Sequence, residues 1–113
     1  MKVTQSAALG VTQADQVKKL GSTLARLRIA HGIKQDQAAV RAGVSRNTAY
    51  RLEKGDPGIA VGQIVRYLDA IVPGKTLLEL LSETDPALAA LGAKERRRRA
   101  RDLSKRELDE IDF

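Results

Sequence analysis

The chain contains no cysteine, no tryptophan and a single histidine among its 113 residues. Without cysteine it can form neither a disulfide framework nor a thiolate zinc site, and His31 alone cannot hold a metal ion. Aromatic residues make up only 3% of the chain and hydrophobic residues 42%, so we expect a core of leucine, isoleucine, valine and alanine. No apolar stretch approaches the roughly 20 residues that a membrane-spanning helix needs, and the amino terminus does not resemble a signal peptide. We therefore expect a soluble, cytoplasmic protein without a cofactor.

Positive charge is in excess and is unevenly distributed. The net charge is +6 and the isoelectric point is about 10.0, which suits an anionic partner such as nucleic acid. Residues 94–106 contain eight lysine or arginine residues against Glu95 and Asp102, an excess that equals the net charge of the whole chain. The rest of the chain is therefore neutral overall, and the basic character is concentrated near the carboxyl end.

Apolar residues recur at helical spacing and predict five helices in an all-α fold. The first pattern places Val17, Leu20, Leu24 and Leu27 on one face of a helix. Glycine and proline residues separate the patterns and predict turns between them. The predicted helices span about residues 14–30, 35–42, 46–54, 60–71 and 77–81.

Residues 35–55, with the sequence QDQAAVRAGVSRNTAYRLEKG, have the layout of a helix–turn–helix. Gly43 lies between two short helical patterns, where a small residue allows the chain to turn sharply. The second pattern presents Arg46, Asn47 and Arg51. The major groove of B-DNA admits a helix, and arginine and asparagine can donate and accept hydrogen bonds at the base edges there. The pattern therefore indicates sequence-specific DNA binding.

The same segment resembles the helix–turn–helix of the Xre family, which includes the lambdoid phage repressors and Cro. The resemblance covers roughly residues 14–81 and implies a compact five-helix, lambda-repressor-like bundle. The basic tail and the short terminal helix that we predict lie outside it. The family pattern has a glutamine, a polar residue and a small pair at the start of one helix, a glycine turn, and Leu-Glu-x-Gly at the end of the next. The matching residues are Gln35, Asp36, Ala38, Ala39, Gly43, Val44, Ser45, Leu52, Glu53 and Gly55.

The resemblance also implies roles for single residues. Arg46, Asn47 and Arg51 match the positions that contact bases, although either arginine has phosphate contact as its alternative role. Arg28 and Glu53 match a salt bridge that joins the first helix to the end of the third. The expected phosphate contacts are Gln35, Ser45, Thr48, Tyr50 and Lys54.

Four positions depart from the family pattern. Ala38 and Ala49 replace larger aliphatic residues, which predicts a core that is thinner or filled from elsewhere. Lys34 stands where serine or threonine usually caps the second helix, at a cost of about 1 kcal/mol unless Gln35 compensates. Ala60 likewise replaces a polar cap before the fourth helix.

We divide the chain into a flexible arm at residues 1–13, a DNA-binding domain at 14–85 and a basic, partly helical extension at 86–113. Three interpretations of the extension stay open: an arm along the phosphates or in the minor groove, a site for an acidic partner, or a solvated tail. Ser104 and Glu107 form a capping box that predicts a short terminal helix. The residues expected to bind DNA or a partner are Arg96, Arg97, Arg98, Arg99, Arg101, Leu108, Ile111 and Phe113.

The first functional hypothesis is a homodimeric transcriptional regulator that represses a palindromic operator. The leucines at 77–81 then either make the dimer contact or only close the core. The second is an antitoxin that neutralises a toxin through its extension and represses their shared operon, since residues 55–71 resemble DNA-binding antitoxins that accompany serine-kinase toxins. The third is an enzyme, which we do not expect, because the sequence has neither an acidic cluster nor a glycine-rich phosphate loop.

Overall fold

The computed structural model describes residues 4–82 and 84–111, and these residues confirm the all-helical fold. They contain no strand and no helix that is long and apolar enough to cross a membrane. They form seven helices: α1 (Gln5–Ala8), α2 (Val11–Ala30), α3 (Gln35–Ala42), α4 (Arg46–Glu53), α5 (Val61–Ile71), α6 (Leu77–Leu81) and α7 (Pro86–Ile111).

A glutamine three residues after the N-cap recurs at three helix starts. At the starts of α2, α3 and α5 the side chain of the N-cap residue does not cap the helix. The glutamine instead accepts the backbone N–H of the N-cap residue, which is one of the two hydrogen bonds of a capping box. Gln35 was the residue named as able to compensate for Lys34, but the side chain that accepts the Lys34 N–H is that of Gln37. The Oε1 atoms of Gln13, Gln37 and Gln63 accept from the N–H groups of Gly10 (2.9 Å), Lys34 (3.1 Å) and Ala60 (3.3 Å).

Tyr67 of α5 lies at the centre of the core and is its largest fully buried side chain. The expectation of a purely aliphatic core is therefore wrong. Ala38 and Ala49 are also fully buried in this core, and their small side chains leave volume that a larger residue must fill. The aliphatic part of the core includes Leu24, Leu27, Leu52 and Leu68.

Helix α6 closes the core with one face and exposes the other. Thr76 caps this helix, because its Oγ1 accepts the N–H of Glu79 at 3.2 Å and Glu79 bonds back to the Thr76 N–H. Leu80 is buried, whereas Leu78 and Leu81 are exposed. The short helix thus has more apolar surface than this domain covers.

The carboxylate of Asp85 fastens the start of α7 to the end of α2. Its Oδ1 accepts the N–H groups of Ala87 at 2.9 Å and Leu88 at 3.1 Å, while its Oδ2 lies 3.1 Å from both His31 Nε2 and Lys75 Nζ. Burial raises the pKa of Asp85, but the hydrogen bonds from His31, Leu88 and Lys75 outweigh it and lower the pKa to about 2. Asp85 is therefore charged at neutral pH and satisfies two otherwise unpaired donors of the helix.

Helix α7 is longer than the short terminal helix that the capping box at 104–107 suggested. It runs without interruption for 26 residues, because alanine, arginine, lysine and glutamate all favour a helix and no proline follows Pro86. Its first part packs on α2, where Leu88 is buried, and residues 96–103 are exposed. At the other end of the chain, α1 and the first turn of α2 lie within residues 1–13, for which the sequence predicted no helix.

Candidate nucleic-acid interface

A sharp turn at Gly43 joins α3 to α4. Gly43 has a φ of 69°, in the left-handed region that residues with a β-carbon rarely adopt. Two residues later, the Oγ of Ser45 accepts the N–H of Thr48 at 3.0 Å and caps α4. The N-terminal end of α4 therefore starts directly after the turn. Ser45 is exposed there, and Thr48 is half-buried.

Arg66 of α5 fixes this turn from the opposite side. Its Nε and Nη2 donate to the carbonyl oxygen of Ala42 at 3.0 and 2.7 Å, and Nη2 also donates to that of Gly43 at 2.8 Å. These carbonyls are among those that the end of α3 would otherwise leave unpaired. Sequence analysis missed Arg66, because its partners are backbone atoms more than twenty residues away and leave no local signal.

Helix α4 has one apolar face and one polar face. Ala49 and Leu52 are buried against the rest of the domain, while Arg46 and Asn47 are exposed in the first turn of the helix. Both side chains are polar and exposed. They are suited to reach the donors and acceptors of base edges.

The exposed face of α4 continues along Tyr50 and Lys54. Tyr50 is 52% exposed, and the Lys54 ammonium lies 5.5 Å from the centre of its ring, within the range of a cation–π interaction. This contact places a positive charge beside the exposed face of α4. Both residues were expected at phosphates, and the structure places them on the same side of α4 as Arg46.

The end of α4 is held to α2 by a buried ion pair. Nε and Nη2 of Arg28 donate to the two carboxylate oxygens of Glu53 at 2.7 and 3.0 Å, and Nη1 donates to the carbonyl of Ile33 at 2.9 Å. The hydroxyl of Tyr67 also donates to Glu53. The bond to Glu53 raises the pKa of Arg28, and burial followed by the same carboxylate raises the pKa of Tyr67. This network fixes the direction of α4 relative to α2.

A second ion pair lies on the surface, where α4 ends. The Nε of Arg51 donates to Oδ2 of Asp56 at 2.7 Å, and Oδ1 of Asp56 accepts the N–H of Gly58 at 2.7 Å. The bond from Arg51, followed by that from Gly58, lowers the pKa of Asp56, which is therefore charged at neutral pH. Arg51 was expected to contact a base, and the structure shows its guanidinium already held on one side.

The start of α3 flanks α4 with further polar groups. Gln35 is the first residue of the helix and is half-buried, and Asp36 and Gln37 beside it are exposed. Oδ1 of Asp36 accepts the N–H of Gln37 at 2.8 Å, so this carboxylate satisfies one donor of the first turn. Gln35 is thus placed at a helix N-terminus, a position at which backbone N–H groups favour a phosphate.

The basic residues of the extension lie on α7. Arg26 of α2 pairs with Glu95, and the bond from Arg26 lowers the pKa of Glu95. Beyond Glu95 the arginines project into solvent. The side chains of Leu108 and Ile111, and the whole of Phe113, lie outside the described residues. The exposed arginines are Arg96, Arg97, Arg98, Arg99 and Arg101.

A protein-family model described as a helix-turn-helix domain matches residues 19–80. The matched region starts within α2 and ends within α6, so it includes the turn at Gly43 and the whole of α4. Among curated proteins and solved structures, none is significantly similar to the chain.

Proposed function

The chain belongs to the helix-turn-helix domain family of DNA-binding regulators, and on that premise we propose that it is an Xre-type homodimeric repressor of a palindromic operator. One observation carries the proposal: α4 exposes Arg46 and Asn47 directly after the turn, while Ala49 and Leu52 anchor its other face. A helix that is fixed on one side and polar on the other is suited to lie in the major groove.

Within that proposal the polar residues on and around α4 divide between bases and phosphates. Arg46 and Arg51 donate to O6 and N7 of guanine, and Asn47 pairs with adenine. The phosphate contacts fix the register of the protein on the duplex without reading sequence. They are made by Gln35, Ser45, Thr48, Tyr50 and Lys54.

The dimer is proposed on the exposed leucines of α6. Leu78 and Leu81 are 79% and 61% exposed, and pairing of two copies through this face would remove their apolar surface from water. Two-fold symmetry of the protein requires two half-sites with their centres ~34 Å apart, one turn of B-DNA. The operator is therefore expected to be a palindrome.

The proposal is tested by selecting bound sequences from a random pool of double-stranded DNA with the full chain at moderate salt. We expect an enriched palindromic motif whose half-sites are about one helical turn apart. Binding without any enriched motif would exclude sequence-specific regulation by this chain alone. A single, asymmetric half-site would exclude the proposed dimer.

Changing Arg46 to alanine is expected to weaken binding to the selected site by about 1–3 kcal/mol and to relax the preference at one base pair. Arg46→Lys is the matched control, since it keeps the charge and loses the planar pair of donors. It should retain the binding of unrelated DNA and still lose the base preference. If Arg46→Ala weakens binding but leaves the preference at every base pair unchanged, Arg46 contacts phosphate and not a base.

Neutralising the four arginines 96–99 with glutamine tests the proposed role of α7 at phosphates. Glutamine favours a helix about as well as arginine, so α7 should remain intact. We expect all DNA sequences to bind more weakly, and the dependence of log affinity on log salt concentration to decrease by about 0.9 for each phosphate that α7 no longer neutralises. An unchanged salt dependence would show that α7 does not contact DNA.

An antitoxin is the second candidate, and the exposed part of α7 favours it. Residues 96–103 lie on a helix that extends beyond its contact with α2, as a segment that binds another protein would. If a toxin gene lies beside this gene, deleting residues 94–113 should abolish protection from that toxin, while the selected DNA motif stays the same. Protection that survives the deletion would exclude neutralisation through the extension.

A further inference from the structure

Asp56 and Arg51 form a closed local structure at the end of α4. The N–H of Asp56 donates to the carbonyl of Arg51 at 3.0 Å, and the side chains pair in the opposite direction, from Arg51 Nε to Asp56 Oδ2 at 2.7 Å. The other carboxylate oxygen is occupied by the N–H of Gly58 at 2.7 Å. The backbone that follows α4 thus fixes the carboxylate of Asp56, and this carboxylate fixes the guanidinium of Arg51.

The pair adds little to the stability of the fold, because both side chains are substantially exposed, Arg51 by 42% and Asp56 by 33%. Its chemistry is more informative. A guanidinium has five N–H donors in one plane, and Asp56 uses only the one on Nε. Among the described residues, none accepts a hydrogen bond from Nη1 or Nη2 of Arg51. That edge can make two parallel hydrogen bonds, the arrangement with which arginine recognises O6 and N7 of guanine.

We infer that Asp56 is a positioning residue that holds Arg51 for bidentate donation to a guanine in the major groove. The inference rests on the proposed function and adds to it a residue that determines specificity without touching DNA. An arginine fixed in one orientation has less conformational freedom to lose on binding. The carboxylate also repels phosphates, so Arg51 is favoured at a base edge over a backbone position.

The variant Asp56→Asn separates the positioning of Arg51 from the hydrogen bond that Asp56 accepts from Gly58. Its amide oxygen can still accept the N–H of Gly58, whereas the amide nitrogen that then faces Nε of Arg51 is a donor and cannot accept its hydrogen bond. We measure affinity for the selected operator and for the operator changed at the base pair where Arg51→Ala loses preference. Asp56→Asn is expected to reduce discrimination between these two sites about fivefold to tenfold. Affinity for unrelated DNA should rise or stay equal, because a negative charge has been removed.

Asp36→Asn is the matched control, since it removes the same charge from the exposed start of α3 without a contact to Arg51. This control should change the affinity for every DNA sequence by about the same factor and leave discrimination at that base pair intact. In the Arg51→Ala background, Asp56→Asn should have no further effect on discrimination. Thermal unfolding of each variant checks that the fold is retained.

Three outcomes would overturn the inference and leave the proposed function standing. In the first, Asp56→Asn keeps the full preference at the tested base pair. In the second, it increases both operator affinity and this preference, which would mean that Asp56 withholds Arg51 from DNA. In the third, Arg51→Ala changes no base preference. The proposed function itself fails at an earlier step, when the unaltered chain selects no motif. The two failures are therefore distinguishable.

Discussion

Replacing Gly21 with alanine is expected to lower the free energy of unfolding by about 3 kcal/mol, although alanine is the better helix former. A β-carbon on Gly21 would lie 2.5 Å from the carbonyl oxygen of Leu52, 2.7 Å from the amide nitrogen of Gly55 and 2.9 Å from the carbonyl oxygen of Glu53. All three are backbone atoms, so no rotation of a side chain relieves the overlap. Helix α2 must move away from the end of α4, and chemical denaturation at neutral pH measures the cost.

Gly62→Ala is the matched control for this prediction. Gly62 is also helical, but it is exposed, and a β-carbon there meets nothing within 4 Å. Its replacement should leave stability unchanged or raise it by up to about 1 kcal/mol, because alanine loses less backbone entropy than glycine on folding. If the two variants had the same stability, the close approach of α2 to α4 would not determine the packing of this domain.

The close approach at Gly21 also bears on function. Gly21 and Arg28 lie two helical turns apart on α2, and both face the segment 52–55 at the end of α4, Gly21 along its backbone and Arg28 at the side chain of Glu53. One contact is steric and the other is ionic. Together they set the distance and the direction of the helix that carries Arg46, so loss of either should weaken DNA binding even where the fold persists.

Much of the fold was predictable because its signals are local. The turn glycine at 43, the cap at Ser45 and the alternation of apolar and polar residues on α4 lie within a dozen residues of one another. They leave the same pattern in any sequence that forms this motif. The pairing of Arg28 with Glu53 was accessible only through the family resemblance, since nothing local links residues 25 positions apart.

The rest depends on contacts that sequence patterns do not encode. Arg66 donates to backbone carbonyls, and Gly21 lies against backbone atoms at the end of α4. Because these partners are backbone atoms, no side chain in the sequence indicates either contact. The central position of Tyr67 reflects space left by distant alanines. The length of α7 was underestimated, because the capping box at Ser104 suggested that a helix starts there. The residues before Ser104 also favour a helix, and no proline interrupts the chain between Pro86 and Ser104.

The second large effect is expected at the buried ion pair between Arg28 and Glu53. The side chains are only 15% and 6% exposed. Arg28→Met should lower the free energy of unfolding by about 3 kcal/mol, because it leaves the Glu53 carboxylate buried with the Tyr67 hydroxyl as its remaining side-chain partner. Methionine preserves most of the aliphatic contact of the arginine stem, so the loss reports on the bonds of the guanidinium to Glu53 and to the carbonyl of Ile33. Urea denaturation at neutral pH measures it.

A double-mutant cycle then separates the pair from its environment. Arg28→Met combined with Glu53→Leu should be less destabilising than the sum of the two single changes, because the double variant leaves no unpaired buried charge. Arg26→Met provides the control on the same helix. Its partner is Glu95, both side chains are 37% exposed, and the unfolding midpoint should hardly change. Equal losses at Arg28 and Arg26 would mean that burial does not distinguish the two pairs, and that the end of α4 is held by the close packing at Gly21 alone.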